Sequence, residues 1–113
     1  MHRWVFEEAN HLMSEESMKR REAFTKAYLT WRLLEALGQG IVTFRYEKEN
    51  GEVRRARGTL RSGIAADFDR HEYKHEEDAA FEQVLERGVF VYFDLDKNGF
   101  RSFSAKRLLS IGE

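Results

Sequence analysis

The chain has 113 residues, 42% hydrophobic and 35% charged, which is enough for one folded domain under a heavily solvated surface. Nineteen Lys and Arg face twenty Asp and Glu, so a uniformly basic partner-binding protein is excluded, although one basic face is not. Cysteine and proline are absent, which excludes a disulfide scaffold, thiol catalysis, Cys-ligated zinc and a Pro-rich tail, and the apolar runs are too short for a membrane span or a signal-peptide core, as expected of a cytoplasmic protein.

Val5, Phe6, Ala9, Leu12 and Met13 recur at helical spacing and predict a short first helix. A break is expected near residues 14–17, where serine can cap a new helix. Phe24, Ala27, Tyr28, Trp31, Leu34 and Leu37 then place one apolar stripe on a second helix. Gly38 and Gly40 follow it and are expected to end it in left-handed geometry. Residues 1–38 thus read as a helical segment packed on whatever follows, with Tyr28 and Trp31 in the packing.

After Gly40 the period changes from about 3.6 to 2. Val42, Phe44 and Tyr46 alternate with Thr43, Arg45 and Glu47, Glu49-Asn50-Gly51 signals a turn, and residues 53–60 form the return strand. A two-residue Asn-Gly loop would set Phe44 opposite Arg57 and mix core with surface. A three-residue loop with Gly51 left-handed sets Phe44 opposite Ala56 and Val42 opposite Gly58, which gathers the apolar residues on one face. The other face then carries Thr43, Arg45, Arg55, Arg57 and Thr59. A second hairpin is expected over residues 89–104, with Lys97-Asn98-Gly99 as its loop and Phe93 opposite Phe103. One helical turn from Ala105 and a short strand over residues 108–111 complete the pattern.

An acidic insert at 65–88 separates the hairpins. Residues 41–64 hold six basic against three acidic side chains, whereas residues 65–87 hold three basic against eight acidic. Glu76, Glu77 and Asp78 favour a helix start, Ala80, Phe81, Val84 and Leu85 supply its apolar face, and Gly88 ends it after about three turns. The expected fold is α+β: an SH3-like (Sm-like) five-stranded barrel over residues 39–113, preceded by the helical segment and interrupted by this short helical insertion. Such a barrel hides its strand edges better than an open sheet.

Two motifs suggest metal chemistry. His71-Glu72-Tyr73-Lys74-His75 matches H-E-x-x-H, where two His four apart on a helix face one zinc ion and the Glu acts on bound water. Its flanks, Asp69, Arg70 and Glu76, are charged rather than apolar, and no long second helix builds a cleft, so a metal-dependent hydrolase ranks last. Asp94-Leu95-Asp96-Lys97-Asn98-Gly99 begins like an EF-hand loop, but its twelfth position is Ala105 rather than the bidentate Glu that calcium needs. The same residues suit a hairpin turn. No metal and no cofactor is expected, and no enzymatic activity.

The basic strand face is the main functional signal. Arg45, Arg55 and Arg57 project from adjacent strands, with Arg54 and Arg61 near the ends, and Tyr46, Tyr92 or Phe100 offer stacking surfaces. Arginines on a small barrel can grip phosphates. Glu47 and Glu52 partly balance them.

The segments VTFRYEKENGEVRRARGTL at 42–60 and VYFDLDKNGFRSFSAKRLLSI at 91–111, together with AFTKAYLTWRLLEAL at 23–37, resemble a family of small proteins with a WYL-type, Sm-like SH3 barrel, found mainly in Bacteroides-group bacteria and their phages. The resemblance implies the barrel but no activity. WYL domains are linked to transcription regulation and nucleic-acid sensing by analogy of fold; with the basic strand face, the first expectation is a nucleic-acid-associated or regulatory module using Arg45, Arg55, Arg57, Arg54 and Arg61. The alternative is a protein-interaction module of a phage or mobile element, docking through the helices or the acidic insert. Nucleic acid or a protein is the expected partner, not a membrane.

Overall fold

The computed structural model describes residues 2–70 and 77–112. α1 (Arg3–Glu15) and α2 (Arg20–Gln39) pack side by side. The His2 side chain caps α1 by accepting from the Trp4 N–H at 3.0 Å. The break falls where expected, but serine does not cap α2. Ser17 instead takes a left-handed φ of 54°, Met18 N–H closes back onto the Leu12 carbonyl at 3.1 Å, and Lys19 starts α2 without a side-chain cap. Gly38 stays helical, and Gly40 ends α2 with φ 170°, an extended rather than a left-handed geometry.

The buried face of α2 is rotated from the predicted stripe. Ala23, Ala27, Thr30, Leu33, Leu34 and Leu37 are buried, whereas Tyr28 is 45% exposed. Because α2 packs against both α1 and the sheet, its small residues face inward and allow close approach. Its aromatic residues are displaced to the rim: Tyr28 stacks on Trp31, and the Arg32 guanidinium lies over the Tyr28 ring.

β1 (Val42–Glu47), β2 (Val53–Thr59), β3 (Val89–Asp94), β4 (Gly99–Ser104) and β5 (Leu108–Ile111) form one antiparallel sheet in the order β4-β3-β2-β1-β5. A single 3-10 turn (Ala105–Arg107) carries the chain from β4 at one edge to β5 at the other. The first hairpin has the predicted register: Val42 faces Gly58, Phe44 faces Ala56, and Gly51 has φ 89°. The inner aromatics follow from this alternation. Phe44, Tyr46, Phe90, Tyr92 and Phe103 are all buried, with the Tyr46 and Phe103 rings stacked at 4.5 Å.

The second hairpin departs from the prediction. Asp94 pairs with Gly99, leaving a four-residue loop, so Phe90 faces Phe103 and Phe93 faces Phe100. The Asp94 carboxylate accepts from Lys97 N–H at 2.9 Å and sets this turn, and Asn98, not Gly99, takes the left-handed φ of 51°. The odd-numbered slip moves Phe93 to the face opposite Phe103. There it meets Phe68 of α3 (Ala66–Asp69), with ring centroids 5.9 Å apart. α4 (Glu77–Arg87) is the expected three-turn helix, and Gly88 (φ 72°) ends it. The Trp4 indole N–H ties α1 to α4 by donating to the Phe81 carbonyl at 3.0 Å.

The Gly58-Thr59-Leu60 run is explained by three contacts. A Cβ on Gly58 would lie 2.5 Å from Cδ2 of the buried Tyr92 ring. The Thr59 hydroxyl donates to the Gly40 carbonyl at 2.8 Å, and Leu60 N–H donates to the Leu37 carbonyl at 2.8 Å, which fixes the end of α2 to the sheet. Gly58→Ala is therefore expected to destabilise the protein by about 1–3 kcal/mol through overpacking, read as a lower urea midpoint at unchanged slope.

Candidate nucleic-acid interface

Thr43, Arg45 and Glu47 of β1 lie opposite Arg57, Arg55 and Val53 of β2, so all six share the face turned away from the aromatic core. Arg45 stands directly opposite Arg55, and Arg57 lies one step along the same face. Arg55 and Arg57 are exposed and Arg45 is half-buried. Arg57 Nε is 3.1 Å from Asp96 Oδ1, an exposed pair worth at most about 1 kcal/mol, which a stronger anion can displace. The insert narrows the open face. Phe68 covers Phe93 and Phe100 on the outer side of β3 and β4, while Arg55 and Arg57 of β2 are exposed.

One of the five predicted arginines does not belong to this surface. Arg54 lies opposite Tyr46 on the inward face. Its guanidinium is bonded to Asp94, whose side chain is fully buried, and donates to the Tyr46 hydroxyl at 3.3 Å. The Tyr92 hydroxyl donates to the same Asp94 oxygen at 3.2 Å. Burial, then the neighbouring Tyr46 and Asp94, push the Tyr92 hydroxyl far above its usual range, so it stays a proton donor. For Arg54, burial acts to lower the pKa, but the Tyr92, Tyr46 and Asp94 oxygens outweigh it and hold the group above its ordinary value. Arg54 is thus structural. Arg61 is exposed just past the end of β2, where its backbone N–H donates to the Thr59 hydroxyl at 3.0 Å.

The proposed stacking surfaces on the barrel are also corrected. Tyr46 and Tyr92 are buried at 7% and 0% exposure, and Phe100 packs against Phe68 and Phe93. Tyr46 and Tyr92 therefore present no stacking surface on the barrel.

The EF-hand-like run forms a hairpin turn. Asp94 is held by Arg54 and Tyr92, Asp96 pairs with Arg57, and the Asn98 amide donates to Asp67 at 2.6 Å. The H-E-x-x-H segment lies outside the described residues. Among the described residues no group of three or more His, Asp or Glu is placed to hold a metal ion, and no helix is long and apolar enough to cross a membrane.

Five short strands with a 3-10 turn between the two edge strands form the SH3 arrangement, and a family model described as WYL_2, Sm-like SH3 beta-barrel fold, matches residues 30–109. The chain belongs to this family. No curated protein and no solved structure matches it. In this WYL_2 protein the match begins inside α2, so α1 and the first half of α2 lie outside it.

Sequence reasoning missed two polar sites, although each left a trace. Inward-facing Ala56 and Gly58 already imply, by alternation, that Arg54 points inward. Likewise Glu8 stands on the same helical stripe as Val5, Ala9 and Leu12, and it is 2% exposed.

Proposed function

We propose that this WYL_2 protein is a non-enzymatic binding module of a bacterium, phage or mobile element, acting in the cytoplasm and gripping nucleic acid through Arg45, Arg55 and Arg57. The observation that carries the reading is the direct opposition of Arg45 and Arg55 on the outward β1–β2 face, with Arg57 beside them. A phosphate backbone laid across the face would meet all three guanidinium groups in turn. The contact is electrostatic and reads no particular base.

Fluorescence anisotropy with labelled single- and double-stranded DNA and RNA tests the reading. Three phosphate contacts predict a loss in affinity of about twentyfold for single strands and about fortyfold for duplex DNA on a fourfold rise in salt. The double variant Arg45→Glu, Arg55→Glu is expected to weaken binding by at least about tenfold, and unchanged binding would rule this face out.

A second reading rests on the helices. Phe6 and Tyr28 are 47% and 45% exposed, Phe6 packs edge-on to Phe24, and Arg20 lies over the Phe24 ring. This face suits an apolar protein partner. Salt separates the readings, since apolar docking does not weaken as salt rises.

A further inference from the structure

A cavity of about 100 Å³ opens where α1, α4 and the 3-10 turn meet, and Glu8, His11, Glu15, Glu86, Ser104 and Lys106 contribute to its lining. Glu8 differs from the rest. Its side chain is 3% exposed, yet it makes no hydrogen bond to any described residue. Among the described residues the nearest basic side-chain nitrogen is His11 Nδ1 at 3.9 Å, beyond hydrogen-bond reach. A buried carboxylate without a donor costs free energy unless something else supplies one.

The surrounding groups narrow what that is. Lys106 of the 3-10 turn is held by Glu16 at 2.9 Å. Arg87 of α4 also lines the cavity, but Glu86 beside it and Glu15 of α1 offset its charge, so the lining carries more acidic than basic groups. A bare metal ion does not fit, because no three ligating groups among the described residues converge here. The volume suits one small polar head group. We propose that this cavity binds a single organic cation, an ammonium or guanidinium head, whose N–H groups donate to Glu8. The site is separate from the arginine face and stands whether or not nucleic acid binds there.

Ionisation of Glu8 is coupled to this occupancy. Burial first, and the Glu15 carboxylate second, raise Glu8 to about 7. A cation entering near neutral pH therefore displaces a proton, and its affinity falls by about tenfold per pH unit below 7. His11 also faces Glu8 from the next turn of α1. The cations Arg87 and Lys106 oppose ligand entry, while Glu15, Glu16 and Glu86 favour it.

The test is an NMR titration of the full chain with methylguanidinium and methylammonium at pH 6 and pH 8, following the amides of His11, Arg87 and Ser104. The expected result is saturable shifts, stronger at pH 8, with affinity reduced about tenfold in Glu8→Gln. Should Glu8→Gln fail to fold, Glu15→Gln with Glu86→Gln is expected to weaken binding while leaving Glu8 in place. A capped Gly-Gly-Arg-Gly-Gly peptide separates the sources. Tighter binding than methylguanidinium identifies a side chain of a protein partner, and equal or weaker binding identifies a free cation. Absence of shifts with every probe would mean that the cavity holds water only, equal affinity in Glu8→Gln would mean that binding does not run through Glu8, and either result would overturn the proposal.

Discussion

Replacing Asp94 with alanine is expected to destabilise the protein by about 3–5 kcal/mol, the cost of breaking a buried ion pair from one side. Three groups lose their acceptor at once: the Arg54 guanidinium, the Tyr92 hydroxyl and the Lys97 N–H. Arg54 is left with only a long bond to Tyr46, its side chain 21% exposed. The Lys97 bond also closes the β3–β4 loop, so the hairpin loosens together with the core. Removing both charges by Arg54→Met with Asp94→Leu is expected to cost clearly less than the sum of the single changes, because no charge is left stranded. Urea unfolding of the four proteins in the cycle measures this. A single-variant loss below about 1 kcal/mol would place the pair among weak surface bridges.

The second large effect depends on pH. Glu8 ionises near 4.5 in the unfolded chain and near 7 in the folded one. Below 4.5 it is protonated in both states and contributes nothing to the difference. Between 4.5 and 7 the folded state keeps a proton that the unfolded state has lost, so stability falls as pH rises, and above 7 the full cost is present. Glu8→Gln removes this titration. Its stability advantage over the unaltered protein is expected to grow from near zero at pH 4.5 to about 3 kcal/mol at pH 8. Parallel stability curves across this range would show that Glu8 is not desolvated as described.

These two side chains also show where local pattern stops informing. Alternation over residues 42–60 was sufficient to set the β1–β2 register, because only one pairing buries Phe44 opposite Ala56. The same reasoning failed on the second hairpin. Both faces of β3 are apolar, since Phe90 and Tyr92 point into the aromatic core while Phe93 points under Phe68. Alternation then carries no information, and the turn chemistry of Asp94 decides the register instead. On α2, Phe24 and Tyr28 attract the eye as core residues, but alanines at 23 and 27 are what a helix clamped between α1 and the sheet can bury. The arginine face was legible as a set of positions. Which arginines are structural depends on a partner forty residues away in sequence, at Asp94.

The most direct test of the central claim is to map where nucleic acid lands. A short single-stranded oligonucleotide is added to isotope-labelled protein at low salt, and the backbone amide shifts are followed. The account predicts shifts concentrated at Thr43, Arg45, Arg55 and Arg57, little change at Arg54, and reversal as salt is raised. Shifts centred on the helices at Phe6 and Tyr28, or none at low salt, would contradict it and leave the β1–β2 arginines as solvated surface.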